Sequence, residues 1–229
     1  MLLLIKYTLL YGIVLMLVAL GGMFSEHSGI INIALEGIMV IGGVAGVLTL
    51  TMLPESLSPF LVVLISILVA ALAGVIYSLL LAFASINLKA DQTIGGTALN
   101  LMAPALVLFF IRIIANQNTL QMLTGDAASW FMIKKSTLGI DKNTDLGFFG
   151  ETFVNKVYLA TYVCILLFII LSILLYKTRF GLRLRACGEH PQAADSVGIN
   201  VYRMRYAGVL ISGFLGGVGG LAYVIPSVQ

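Results

Sequence analysis

Stretches of about 20 mainly apolar residues recur six times along this chain, at roughly 5–23, 30–50, 60–84, 94–115, 157–176 and 206–225. A helix of that length crosses the hydrocarbon core of a bilayer, and a helix satisfies its own backbone where no water can. Apolar residues make up 60% of the 229 positions and charged residues 10%, with a mean hydropathy of +1.06. Soluble domains carry roughly 25% charge, so this chain lacks the polar residues to cover a water-facing surface. The expected fold class is all-α, a polytopic transmembrane helical bundle of at least six hydrophobic segments, with residues 1–229 forming a single transmembrane domain. The first segment lacks a small-residue cleavage site and reads as a retained helix.

Two polar stretches interrupt the apolar pattern. In 116–156 basic and acidic residues roughly balance. In 177–205, Lys177, Arg179, Arg183, Arg185, Arg203 and Arg205 crowd the two helix ends. The positive-inside rule places 177–205 in the cytoplasm and 116–156 outside. Alternation then puts 85–93 inside, and 51–59 and the N-terminus outside. Residues 24–53 are rich in glycine, however, and a broken or re-entrant segment there would reverse the side of the N-terminus. The net charge of +3 is clustered at one loop, which is an orientation signal and not a nucleic-acid footprint.

Small residues four apart mark helix seams: Gly208, Ser212, Gly216 and Gly220 in the last segment, with Gly42/Gly46 and Ala70/Gly74 repeating the theme. They argue for tight packing. Glu36 lies inside an apolar run, four residues after Asn32, so the two share a helix face. A charge at bilayer depth costs at least ~2.5–3.5 kcal/mol on insertion scales, so Glu36 calls for a watery pathway, a structural partner or an interfacial position. Asn100 precedes Pro104 by four residues, so the Asn100 carbonyl loses its helical donor just after Gly95-Gly96. That pattern fits either a cavity-lining discontinuous helix or a plain kink satisfied by a neighbour. Arg112 is placed to snorkel to an interface.

Chemistry-bearing motifs are missing from the sequence. Asp141, Asn143 and Asp145 start like a calcium loop, but Leu146 and Thr152 occupy the positions that need Gly and Glu. There is no phosphate-binding loop, no nucleophile elbow and no His-Glu-x-x-His. His27 and His190 stand apart from other ligands, and Cys164 and Cys187 are not expected to pair. No enzyme activity, metal or cofactor is expected. Within 177–205, Pro191 suits a first helical position and Gly198 the residue past a helix end, which predicts a short helix over 192–197 with Ala193-Ala194 at its centre. A helix that short is marginal alone and makes most sense docked on a partner.

The stretch 179–217, RFGLRLRACGEHPQAADSVGINVYRMRYAGVLISGFLGG, resembles the cytoplasmic coupling loop and following helix of the permeases of ABC importers for branched-chain amino acids, sugars and nucleosides. EHSGIINIALEGIMVIGG and ADQTIGGTALNLMAP are similar to the nucleoside or simple-sugar subgroup, with Asn32-Ile33-Ala34-Leu35-Glu36-Gly37 where the amino-acid and sugar permeases carry other patterns. The resemblance implies a multi-pass permease subunit of a bacterial plasma membrane that takes up nucleosides or related small polar solutes. It implies three partners besides membrane lipid: a cytoplasmic ATPase that hydrolyses the ATP, a second permease subunit, identical or not, and an extracytoplasmic substrate-binding protein. The coupling loop is 177–205, with Gly188, Glu189, His190, Pro191, Ala193, Ala194 and Gly198 meeting the ATPase, while Asn32, Glu36 and Asn100 are candidates for the translocation pathway. Permeases of this family continue beyond the helix at 206–225, so a chain ending at Gln229 is C-terminally short for the family. Importers of sugars or branched-chain amino acids, and a structural membrane protein without transport, are the competing readings.

Overall fold

The computed structural model describes residues 2–53, 57–115, 132–133 and 157–225. Among the described residues eight α-helices follow one another: α1 (Leu2–His27), α2 (Leu35–Met52), α3 (Pro59–Ala82), α4 (Gln92–Ala115), α5 (Leu159–Lys177), α6 (Arg179–Glu189), α7 (Pro191–Ser196) and α8 (Val201–Val224). A π-helical turn, Phe83–Asn87, prolongs α3. Met132–Ile133 (β1) and Val157–Tyr158 (β2) form a two-residue antiparallel ladder, Met132 opposite Tyr158. The remainder of the loop 116–156, including Trp130 and the aspartates at 141 and 145, lies outside the described residues. The protein is an all-α polytopic bundle.

Five helices are long and apolar enough to cross a membrane, and α5 with α6 passes the same test only as a pair bent by 67°. The bend falls at Thr178, whose side chain accepts a hydrogen bond from Gly181 N and so caps α6. Much of the stretch expected as a polar loop at 177–205 is therefore helical. α6 buries Gly181, Leu184 and Cys187 on one face and leaves Leu182 and Arg183 exposed.

α8 is the hub. Its glycines form three seams with different neighbours. The row expected from the sequence faces the end of α1 and the length of α2: Gly208 meets Ser28, Gly216 meets Ile38 and Gly220 meets the Met39 carbonyl. Gly213 and Gly217 form a second seam on Gly74 and Ala70 of α3, and Gly219 a third on Val18 of α1. With no side chain between them the backbones approach closely, which is how helices gain van der Waals contact in lipid. Leu17, Ala71, Cys164 and Leu215 then knit α1, α3, α5 and α8 into a buried cluster.

The packing settles relative sidedness. His27, Asn87 and Gln92 lie at the end of the bundle that carries α6, α7 and the start of α8: Gly188 packs on His27, Tyr206 bonds Asn87, and Gln92 bonds Ile31. Tyr11 meets Tyr223 and Val47 meets Leu221 at the opposite end. The start of α1 is thus on the side away from 177–205, and the break at 28–34 does not reverse the alternation.

Candidate functional site

The site is built around that break. α1 ends in a Schellman motif: Ile30 N donates to Ser25 O, Gly29 N donates to Glu26 O, and Gly29 adopts φ +87°. The chain then runs non-helically to Leu35, while the level it faces moves along α8 from Arg205 beside Gly29 to Ser212 beside Asn32. Irregular backbone inside a bilayer survives only when protein or a water-filled cavity satisfies it. Here protein does most of it. Ser25 Oγ donates to Ile30 O, Gln92 Oε1 accepts from Ile31 N, and Asn100 Nδ2 donates to Ile33 O. Asn100 Oδ1 also accepts from Gly37 N at 2.7 Å, in the first turn of α2.

The three pathway candidates therefore separate. Asn32 and Glu36 do not share a helix face, because α2 begins at Leu35 and Asn32 belongs to the irregular segment. Asn32 is buried and its Nδ2 donates to Ser212 Oγ at 2.9 Å, while its Oδ1 has no partner. Asn100 is a clamp between α4 and the break, with both ends of its amide engaged by backbone. Glu36 alone is exposed. Its neighbours Leu35 and Ile38 pack on Gly216, which lies 11 residues beyond Arg205 along α8. At about 1.5 Å per residue that is ~16 Å into the bundle, near the middle of a hydrocarbon core of about 30 Å.

α4 runs through Pro104 without a break from Gln92 to Ala115. One turn before it, Tyr77 Oη donates to Leu99 O at 2.7 Å, one residue before the Asn100 carbonyl that Pro104 deprives of its helical donor. Gly96 serves close approach and not flexibility: a Cβ there would stand 2.8 Å from Ile33 Cβ. Arg112 is exposed, as a snorkelling residue should be.

At the basic end, α7 starts with Pro191 and finishes in a second Schellman motif. Ile199 N donates to Ala194 O, Gly198 N donates to Asp195 O, and Gly198 takes φ +82°. A shallow groove between α6 and α7 is lined by Ala186, Glu189, His190, Ala193, Ala194, Val197 and Ile199. Ala193 and Val197 are exposed, but Ala194 is buried within the chain. Gly188 is not at the surface of this groove. It packs on His27 O and Gly29 N, joining α6 directly to the break. Cys187 beside it is buried, which pushes its thiol up, with the Arg205 charge acting in the opposite direction. Cys164 and Cys187 are both unpaired.

Sequence reasoning missed Ser212 as the partner of Asn32, together with Tyr77 and Gln92. Ser212 was counted there only as a small residue. The signal for Gln92 was its place at a helix start, opposite nothing that sequence separation reveals.

Residues 4–228 match the family model described as the permease component of the branched-chain amino acid transport system. The chain belongs to this family. The nucleoside ABC transporter permease protein NupC of Lactococcus lactis is 43% identical over 94% of this chain. The guanosine ABC transporter permease protein NupQ of Bacillus subtilis is 42% identical over 94%. NupB, a second nucleoside permease protein of L. lactis, is 25% identical over 94%. The chain spans 65% of the length of NupC and of NupQ. No solved structure matches it. Family membership and the apolar helices make this a multi-pass protein of the plasma membrane.

Proposed function

We propose that this permease-family chain forms half of the translocation pathway of an ABC importer for nucleosides, driven by a separate cytoplasmic ATPase and supplied by an extracytoplasmic binding protein. The substrate class rests on the similarity to NupC and NupQ, whose names give nucleosides and guanosine. The observation that carries the pathway is Glu36, an exposed carboxylate at mid-depth beside an irregular segment. Such a group is stable in a bilayer only against water or a polar partner. The open face of α2 and α4 around it, with Ile31, Thr97 and Leu101 exposed, is where a second permease subunit would complete the cavity. A neutral nucleoside asks for hydrogen-bonding groups, and a carboxylate accepts from sugar hydroxyls or base N–H groups.

The ATPase reads the exposed groove at Glu189, His190, Ala193 and Val197. Motion of α7 would reach the pathway through Gly188, which touches both His27 and Gly29 where the break begins. Ala194, largely buried, lines the same groove beside Ala193.

The test is guanosine uptake and solute-stimulated ATP hydrolysis in the assembled importer. Ala193→Arg should abolish stimulation while leaving the thermal midpoint unchanged. Glu36→Gln should lower uptake at least tenfold with assembly intact, about 1.4 kcal/mol of lost transition-state binding. Normal uptake in the Glu36→Gln importer would remove Glu36 from the pathway.

A further inference from the structure

A cavity of about 320 Å³ opens between the π-helical end of α3, the turn into α4 and the first turn of α8. Ser85, Lys89, Gln92, Tyr202 and Arg205 line it. No acid is among its lining residues. Among the described residues neither Lys89 nor Arg205 has an ion pair, and Arg205 Nε is buried without an acceptor. Asp91, outside the lining, caps α4 through Oδ1, which accepts from Thr93 N and Ile94 N. Two cations with no acid among the lining residues make the cavity attractive to an anion.

The walls are fixed in advance. Tyr206 Oη donates to Asn87 Oδ1 at 2.5 Å, tying the π-helical turn to α8, and Gln92 is held by Ile31 N. Lys89 takes φ 52°, a left-handed conformation uncommon for lysine, at the corner between Leu88 and Ala90. Around this polar cavity the adjoining residues are largely apolar and open: Phe83, Leu88 and Tyr202 are 53%, 66% and 60% exposed. A free inorganic anion has no use for such a rim. An amphiphile does.

We propose that this cavity holds the phosphate of an anionic phospholipid from the leaflet on the side of 177–205, with Lys89 and Arg205 on the headgroup and the apolar rim along the acyl chains. Basic pockets between helices at that face are suited to such headgroups. Occupation would brace α8 against the α3–α4 turn at the base of the break.

The experiment is native mass spectrometry of the purified full chain equilibrated with phosphatidylglycerol or phosphatidylcholine. It needs no transport readout, so its failure leaves the importer reading standing. Phosphatidylglycerol should be retained in preference to phosphatidylcholine, with retention falling about fivefold for each of Lys89→Gln and Arg205→Gln and recovering in Lys89→Arg. Lys89 is exposed, so its variants report even if Arg205→Gln fails to fold. Equal retention of the two lipids, or unchanged retention in Lys89→Gln, would overturn the proposal. So would loss of bound phosphatidylglycerol in millimolar inorganic phosphate, which would assign the site to a free anion.

Discussion

α4 and α8 are both 24 residues long, and α4 is the more apolar, yet 67% of an 18-residue apolar window of α8 is buried in the bundle against 22% of the matching window of α4. In water the more apolar helix would be drawn inside. In lipid, apolarity gives no preference for protein over hydrocarbon, and burial goes to the helix whose surface admits close neighbours. α8 carries glycine on three sides, and α1, α2 and α3 each dock on one of them. α4 presents Leu101, Leu108, Phe109 and Ile113 outward and is held to the rest chiefly where Gly96 and Asn100 meet the break. One helix is a hub fixed by what it lacks. The other is a wall fixed by a polar clamp.

The comparison breaks most sharply at Gly220. A Cβ there would run into the backbone of Met39, which has no soft rotamer to yield. Gly220→Val should cost at least the ~1–3 kcal/mol of an overpacked core, and the chain should fail to run as a monodisperse species in detergent. A monodisperse Gly220→Val protein with an unshifted thermal midpoint would mean that the α2–α8 seam is looser than described.

Asn100→Leu comes next. It removes one donor and one acceptor and strands Gly37 N and Ile33 O, each worth about 1–3 kcal/mol when buried and unpaired. Thermal unfolding should begin earlier, with α4 the first element to lose hydrogen-exchange protection. If exchange in α4 is unchanged while uptake falls, Asn100 belongs to the pathway and not to the clamp.

The smallest effect is expected at Leu101, 77% exposed on α4. Leu101→Ala should move the stability of the isolated chain by less than about 0.5 kcal/mol. A larger loss that appears only in the assembled importer would locate Leu101 at the contact with the second permease subunit.

Much of this was legible without coordinates. The six apolar runs required a helical membrane protein, since a bilayer leaves the backbone no other partner. Pro191 and Gly198 marked α7 to within a residue, because a missing N–H suits a helix start and only a left-handed residue closes a Schellman end. The same signal was present at Gly29, and the glycine-rich stretch 24–53 admitted a broken segment, yet 30–50 read as one span and the break at 30–34 was not located. Local pattern cannot report that Gln92 and Asn100, some 60 residues away, satisfy the backbone of a broken segment.

What the sequence alone determined was the class of molecule, the apolar spans, the glycine row of α8 and the basic end. Tertiary structure decided which polar residues are scaffold and which are open. Asn32, Glu36 and Asn100 look alike in a string of apolar residues, each a polar group that hydrocarbon would not tolerate. Only packing shows that Asn100 is consumed by backbone, that Asn32 is half satisfied by Ser212, and that Glu36 faces outward at mid-depth. The physical reason is that a hydrogen bond is a property of two partners, and here the second partner is set by how the helices cross.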